Sequence, residues 1–274
     1  MGRRATPGRD VSDAEPEALL SLAVEAARGA GALLAERFEH GRERAIAAKS
    51  TPTDLVSEAD LASQRAIRSL LAERRPQDGF LGEEEDEDET GTTGLRWVVD
   101  PLDGTINFLF AIPQWCVSVA VEDEQGSLVG AIYDPNRDEL FTAARGGQPR
   151  CNGAVIAASG RRDLATSMVA TGFAYDADVR NAQAQVLARV VPHVRDIRRF
   201  GSAALDLAWT AAGRYDAYFE RTVKPWDIAA GTLICESAGL QVAELPVHPD
   251  LPWGILVADP AAIEPLLALA GAAA

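Results

Sequence analysis

The chain is poor in the side chains that form disulfide frameworks and zinc sites. Among its 274 residues are only three cysteines and three histidines: Cys116, Cys151, Cys235, His40, His193 and His248. The cysteines are odd in number and far apart, which favours reduced, buried thiols in the cytoplasm. No two histidines have the close spacing of a zinc site, so any bound metal must be held by oxygen ligands.

Positive charge and long apolar runs are also scarce. The chain has 26 Lys and Arg against 41 Asp and Glu, a formal net charge of −15. Nucleic-acid binding requires clustered Lys and Arg, so no nucleic-acid partner is expected. Uninterrupted apolar runs fall short of the roughly 18 residues that a membrane span needs. The N-terminal MGRRATPGRD has no apolar stretch behind its arginines, so we expect neither a signal peptide nor a membrane partner.

Composition and length are those of a globular protein with a sizeable core. Hydrophobic residues make up 47% of the chain and charged residues 24%, which is ordinary for a folded domain. The polar, aperiodic residues 1–12 are predicted to be a disordered tail. Residues 13–274 are predicted to form a single domain of two intimate α/β subdomains, about 13–160 and 161–274.

Hydrophobic periodicity predicts two helices in the first third of the chain. Apolar residues recur at intervals of three and four between Leu19 and Leu34, although Gly29 and Gly31 weaken this helix locally. A second helix is predicted from about Glu58 to Arg74.

Short, punctuated apolar runs dominate the middle of the chain, and residues 115–144 predict an antiparallel meander. The seven consecutive acidic residues Glu83–Glu89 cannot share a compact fold without counterions, so most of this run is predicted to be a solvated loop. From residue 167 onward, segments of strand length and helix length alternate. Mixed strands layered with helices predict an α+β sandwich.

The segment with the clearest chemistry is WVVDPLDGTINF, Trp97–Phe108. A strand is predicted to end at Asp100, and Gly104 permits a tight reversal that returns Asp103 to the same side. The kink also frees the carbonyl of Leu102 as a neutral oxygen ligand.

Backbone N–H groups at Gly104 and Thr105 would form an anion site if they open a helix. Carboxylates and a carbonyl beside an anion site suit Mg²⁺ bridging to phosphate, because this cation prefers oxygen ligands. For an isolated D-x-x-D-G, however, an Asx-rich turn is the commoner explanation.

Two other segments place acids at the ends of predicted elements. GEE brings Glu83 to the end of a short strand, and KPWDIAAG puts Asp227 in the first turn of a helix. Taken alone, Asp227 would only complement the helix dipole, and Glu83 would only begin a solvated run.

Together with KSTPTDLVSEAD (residues 49–60) and FGSAALDLAWTAAGRYDAYFE (residues 200–220), these segments occur in an order that resembles the inositol monophosphatase family. This family lies within a superfamily of Mg²⁺-dependent, lithium-sensitive phosphomonoesterases. The resemblance implies an α+β fold, namely the layered αβαβα sandwich of inositol monophosphatase and fructose-1,6-bisphosphatase.

The resemblance also implies roles for individual residues. The implied metal ligands are Glu83, Asp100, the Leu102 carbonyl, Asp103 and Asp227. The implied catalytic residues, which orient and activate water, are Glu83, Asp60 and Thr105. The implied phosphate and substrate contacts are Asp103, Gly104, Thr105, Gly201, Ser202, Ala203, Glu220 and Asp227. Because the acidic run is long, Glu84 or Glu85 could replace Glu83. Ser202 could instead be a helix N-cap, and Glu220 a solvated strand end.

The implied activity is hydrolysis of inositol monophosphate to inositol and phosphate by metal-activated water, with two or three Mg²⁺ ions, in a homodimer. Another monoesterase of the superfamily is an alternative, acting on fructose-1,6-bisphosphate, histidinol phosphate or a 3′-phosphoadenosine. A different class also stays open, namely a non-catalytic module whose acidic run 83–89 binds cations or a partner protein.

Overall fold

The structure is a computed structural model of the chain, and it describes residues 14–40, 46–48, 55–84 and 88–272. The predicted tail, residues 1–12, lies outside the described residues. The helices are α1 (Ala14–His40), α2 (Glu58–Arg74), α3 (Thr105–Leu109), α4 (Ala177–Val190), α5 (Ala203–Ala211), α6 (Pro225–Ser237) and α7 (Pro260–Ala270). The strands are β1 (Ile46–Ala48), β2 (Leu55–Ser57), β3 (Gly79–Gly82), β4 (Asp88–Glu89), β5 (Arg96–Asp103), β6 (Cys116–Asp123), β7 (Gly126–Asp134), β8 (Glu139–Ala144), β9 (Arg150–Cys151), β10 (Ala154–Val155), β11 (Met168–Thr171), β12 (Asp196–Arg198), β13 (Ala217–Arg221), β14 (Gln241–Leu245) and β15 (Gly254–Ala258).

Thirteen of these strands form two sheets. The large sheet has eight strands in the order β10-β9-β8-β7-β6-β5-β3-β4, and the small sheet has five in the order β12-β11-β13-β15-β14. In the large sheet only β3 and β5 pair in parallel; in the small sheet β11 pairs in parallel with both β12 and β13. Strands β6, β7 and β8 form the antiparallel meander predicted from the sequence.

The helices lie in three layers, separated by the two sheets. Strand β5 shows how the layers arise, because successive side chains of a strand point to opposite faces. Its Trp97 and Val99 join the core under α1 and α2, whereas Val98 joins the central core with α5, α6 and the small sheet. A third core packs α4 and α7 on the far face of the small sheet. This order confirms the predicted αβαβα sandwich.

Where the structure describes the acidic run, it differs from the predicted solvated loop at Glu84, which is buried, and at Asp88–Glu89, which form a strand. Glu84 is only 4% exposed, and Asp88–Glu89 form β4, which pairs antiparallel with β3. Arg68 on α2 supplies the missing counterion, since its guanidinium lies 2.6 Å from a Glu89 oxygen. The prediction was wrong for these positions, and residues 85–87 lie outside the described residues.

Helix α1 departs from the expectation that no segment could span a membrane. By length and composition alone, Glu15–Glu39 would suffice to cross one. One face of the helix is nevertheless buried in the core against the large sheet, through Leu19, Ala23, Ala30 and Leu34. The core helix of a globular protein can be equally long and apolar, and the large sheet beneath α1 accounts for its apolar face.

The two glycines of α1 have different surroundings, which gives a matched test of packing. A Cβ added to Gly31 would lie 2.5 Å from Tyr133 Cδ1 and 3.0 Å from Pro135 Cγ, whereas one added to Gly29 would meet nothing within 4 Å. Gly29→Ala should therefore raise the free energy of unfolding by about 0.5–1 kcal/mol through helix propensity. Gly31→Ala should lose that gain to overpacking, which typically costs about 1–3 kcal/mol. Urea denaturation of both variants measures the difference, and equal effects would show that Gly31 is not closely packed.

Candidate metal centre and phosphate site

The end of β5 brings two carboxylates together. The strand runs through Pro101 to Asp103, and its pairing with β6 is irregular between Asp100 and Asp103. The Leu102 N–H donates to Asp100 Oδ1 at 3.0 Å. Gly104 follows with a φ of 97° and is the N-cap residue of the five-residue helix α3. The strand is thus longer than predicted, while the reversal at Gly104 is where the sequence places it.

Glu83 and Asp227 complete a group of four acids. Glu83 directly follows β3, where its N–H donates to the Val99 carbonyl at 3.2 Å. Asp227 lies in the first turn of α6 and accepts a hydrogen bond from the Lys224 N–H at 2.6 Å. The charges of Glu83, Asp103 and Asp227 all act on Asp100, so carboxylates from three segments of the chain lie near enough to interact.

Burial and nearby negative charge make the charged forms of Asp100, Asp103 and Asp227 unfavourable. Burial is the main cause of a raised pKa at Asp100, Asp103 and Asp227, and neighbouring carboxylates raise the pKa of Asp100 and Asp227 further. A cation bound among them would reverse this penalty. Because every predicted donor is a carboxylate or carbonyl oxygen, the set fits a hard divalent cation such as Mg²⁺.

A second acidic group lies beside the first. The Thr105 hydroxyl donates to Asp60 Oδ1 at 2.9 Å and lies 3.1 Å from the Leu102 carbonyl oxygen. Carboxylate oxygens of Asp60, Glu83 and Glu84 all lie within 4.8 Å of one another. Glu84 therefore accompanies Glu83 in the site, while Glu85 lies outside the described residues.

Sequence reasoning missed the side chains that hold these loops in place. On α2, the Ser63 hydroxyl donates to the Pro101 carbonyl at 2.7 Å. The Gln64 side chain binds both the N–H and the carbonyl of Glu84. Asp60, Ser63 and Gln64 are fully or almost fully buried and lie three and four residues apart, on one face of the helix. Polar residues at this spacing beside apolar ones are the signal that could have identified them.

The start of α5 is hydrogen-bonded to Asp103, one of the four acids. The Ser202 hydroxyl donates to Asp103 Oδ2 at 2.6 Å, the Ala204 N–H to Oδ2 at 2.8 Å and the Ala203 N–H to Oδ1 at 3.2 Å. Ser202 is the N-cap residue of α5 by position, but its side chain does not cap its own helix. A carboxylate from the large sheet takes that role.

The turn before α5 is fixed to the same region by a residue that was not predicted. The Asn107 side-chain amide donates to the Phe200 carbonyl at 2.7 Å and to the Gly201 carbonyl at 3.2 Å. Gly201 has a φ of 80°, a conformation in which glycine is strongly favoured. The predicted contacts Gly201, Ser202 and Ala203 therefore adjoin Asp103.

Glu220, the last predicted contact, lies on β13 of the small sheet. It is partly buried, and Oε2 accepts a hydrogen bond from the Tyr218 hydroxyl at 2.9 Å. Burial raises its pKa to about 7, and its charge acts on Asp227.

On α5, Asp206 is buried with neither carboxyl oxygen hydrogen-bonded. Its pKa is raised well above the usual value, mainly by burial and to a smaller extent by the charge of Glu220.

Comparisons with known proteins give matches over most of the chain. A family model, the inositol monophosphatase family, matches residues 15–268. An inositol-1-monophosphatase of Rhizobium meliloti is 44% identical over 225 residues, covering 81% of this chain and 84% of that protein. Nus factor SuhB of Escherichia coli K12 is 40% identical over 222 residues, covering 81% and 83%. A crystal structure of the extragenic suppressor protein suhB from Bartonella henselae superposes with a TM-score of 0.84 at 36% identity, covering 92% and 98% of the two chains.

The raised carboxyl pKa values predict how pH affects the metal-free protein. Asp100, Asp103, Asp227 and Glu220 hold protons more tightly when folded than when unfolded. Between about pH 4 and about pH 7 the folded chain therefore binds more protons, and these groups lower the free energy of unfolding as the pH rises. In EDTA, the melting temperature of the wild type should fall as the pH rises through this window. It should fall less in Asp100→Asn and in Asp227→Asn. Saturating Mg²⁺ should stabilise the wild type more at the upper end of the window. A wild-type pH dependence identical to that of both variants would contradict the clustering of these charges.

Proposed function

The chain belongs to the inositol monophosphatase family, and from that premise we propose that it hydrolyses a small phosphate monoester in a Mg²⁺-dependent reaction. Inositol monophosphate is the substrate we put first, with inositol and phosphate as products. The observation that carries the proposal is the convergence of Glu83, Asp103 and Asp227 on Asp100. Such concentrated negative charge suits the binding of divalent cations, and bound divalent cations can assist the reaction of a phosphate ester.

The proposed metal ligands are Glu83, Asp100, the Leu102 carbonyl, Asp103 and Asp227, for two or three Mg²⁺ ions. Bound there, the ions would neutralise charge on the phosphoryl group and lower the pKa of the attacking water. Phosphoryl transfer depends mainly on positioning and charge neutralisation, so the chain need not supply a covalent nucleophile.

The Asp60–Thr105 pair is proposed to orient the attacking water. The Thr105 hydroxyl donates a hydrogen bond to Asp60 at 2.9 Å, so a lone pair on the hydroxyl oxygen can accept a hydrogen bond from water. Glu83, whose carboxylate lies near that of Asp60, is proposed to be the second group that orients this water. Asp60 thereby acts through Thr105, while Glu83 acts as both metal ligand and catalytic residue.

The remaining residues are proposed to bind the substrate. The backbone of Gly104 and Thr105 would contact the phosphate, together with Asp103 and Asp227. Gly201, Ser202 and Ala203, which border Asp103, would line the alcohol side. Glu220, held by Tyr218, would accept a hydrogen bond from a substrate hydroxyl.

Other roles are less well supported. A different monoesterase activity would use the same metal ligands, so only the substrate would change. A non-catalytic module does not require water-orienting groups such as the Asp60–Thr105 pair. Some relatives carry the name Nus factor SuhB. The homodimer and the cytoplasmic location stay predictions.

Removing one carboxylate charge from the centre should abolish activity without unfolding the chain. Asp100→Asn and Asp227→Asn should each lower Mg²⁺-dependent phosphatase kcat/KM by more than roughly 100-fold, since ligands matter at least as much as the groups that support them. Asp138→Asn, at a largely exposed carboxylate, is the matched control and should behave like the wild type. Circular dichroism checks the fold, and near-normal turnover in either ligand variant would overturn the metal assignment.

Initial rates on a substrate panel should separate the alternative esters. With Mg²⁺ and equal concentrations, we expect inositol 1-phosphate to be hydrolysed faster than fructose-1,6-bisphosphate, histidinol phosphate or 3′-phosphoadenosine 5′-phosphate, since Glu220 offers a hydroxyl acceptor. We also expect inhibition by millimolar lithium, which the family resemblance implies. A faster rate on another ester would keep hydrolysis and replace the substrate.

A further inference from the structure

Gly172 leaves the space that the carboxyl group of Glu220 occupies. Thr171 of β11 pairs in parallel register with Phe219 of β13, so Gly172 lies beside Glu220 at the ends of the two strands. A Cβ added to Gly172 would overlap sterically with the Glu220 carboxyl group, whose carbon and two oxygens are the three nearest atoms. Gly172 is not among the glycines with positive φ, so its backbone would accept alanine without strain. What the glycine provides here is room for the carboxylate rather than an unusual backbone conformation.

Tyr218 fixes the same carboxylate from another direction. It lies two residues before Glu220 and therefore on the same face of β13, and its side chain is fully buried. Its hydroxyl donates to Glu220 Oε2 at 2.9 Å. Burial raises the pKa of this phenol well above its usual value, so the hydroxyl remains a donor throughout the working pH range.

One oxygen of Glu220 is hydrogen-bonded to Tyr218, and the carboxyl group lies directly against Gly172. The side chain of Glu220 therefore has little rotational freedom. A hydrogen-bond acceptor that is already fixed loses little conformational entropy when a hydroxyl binds to it. If the Glu220 carboxylate is displaced, the substrate hydroxyl either loses this hydrogen bond or must bind a carboxylate that first has to be ordered.

We propose that Gly172 and Tyr218 are specificity-determining residues, which hold the Glu220 carboxylate where it accepts a hydrogen bond from a hydroxyl of a polyol phosphate. The inference rests on the proposed function and deepens it. Selection of a polyol ester over an ester without aliphatic hydroxyls then depends on β11 and β13 and not on the metal ligands. Above about pH 7, where Glu220 is ionised, losing a hydrogen bond to this charged acceptor corresponds to a change in selectivity of roughly 10- to 100-fold.

The test compares two esters with the full-length protein and saturating Mg²⁺. Inositol 1-phosphate has aliphatic hydroxyls and p-nitrophenyl phosphate has none. The ratio of their kcat/KM values is measured for Gly172→Ala, Tyr218→Phe, Glu220→Ala and the double variant Gly172→Ala/Glu220→Ala. Gly172→Ala and Tyr218→Phe should each lower this ratio by about tenfold or more, chiefly through a higher KM for inositol 1-phosphate.

The double variant separates positioning from general damage. Once Glu220 is alanine there is no carboxylate for the new methyl group to displace, so the double variant should match Glu220→Ala alone. Two control substitutions should leave the ratio unchanged. Gly29→Ala adds a methyl group in open space, and Tyr133→Phe removes a hydroxyl that donates to Asp138 at 3.0 Å on the surface.

Failure of the inference can be told apart from failure of the proposed function. A wild type that shows no Mg²⁺-dependent hydrolysis of either ester would overturn both. An active wild type whose ratio is unchanged in folded Gly172→Ala would overturn the inference alone. A double variant much less selective than Glu220→Ala would do the same, because the methyl group would then act without the carboxylate. If Tyr218→Phe does not fold, the comparison of Gly172→Ala with the double variant still decides the matter.

Discussion

The close approach of buried and partly buried carboxylates is the constraint on which the rest of this structure depends. The charges of Glu83, Asp103 and Asp227 act on the buried Asp100, and like charges at short range disfavour the ionised forms. Side chains free to turn would relieve this repulsion by moving apart. Here the Leu102 N–H binds Asp100 and the Lys224 N–H binds Asp227, so backbone groups hold the acids in position. The folded chain thus maintains an electrostatic penalty that a bound divalent cation would remove.

Side chains outside the acidic segments help to hold the acids in place against this repulsion. Ser63 and Gln64 bind the backbone on both sides of the pocket, at Pro101 and at Glu84. Both are on α2, which packs against the large sheet in the same core as α1. Burial of the apolar face of α2 fixes this helix in the core. Because Ser63 and Gln64 cannot move with the loops, their hydrogen bonds restrain the loops from moving outward.

Local patterns predicted elements better than they predicted the contacts between them. Helix α2 has the bounds that its sequence indicates, since periodicity and end signals all lie within the segment itself. The carboxylates were found because two of them share one short motif. The supporting bonds of Gln64 and Asn107 span 20 and 93 residues of chain, and no local pattern encodes which carbonyl a distant amide will meet. The strand at Asp88–Glu89 was missed for the same reason, because Arg68, which pairs with Glu89, comes from another element.

The pocket divides into two parts that depend on different sheets. Asp100 belongs to the large sheet, whereas Glu220 belongs to the small sheet beyond α5. Asp103 is the connection, because its carboxylate binds the first residues of α5 while its charge acts on Asp100. A substitution at Asp103 would therefore disturb both parts. One on β11 or β13 would act on the surroundings of Glu220, which we propose to bind a substrate hydroxyl, and would leave Asp100 in place. If Glu220 binds the substrate in this way, a change in the small sheet alone would alter the preference for one phosphate ester over another without touching the acids that are proposed to hold the metal.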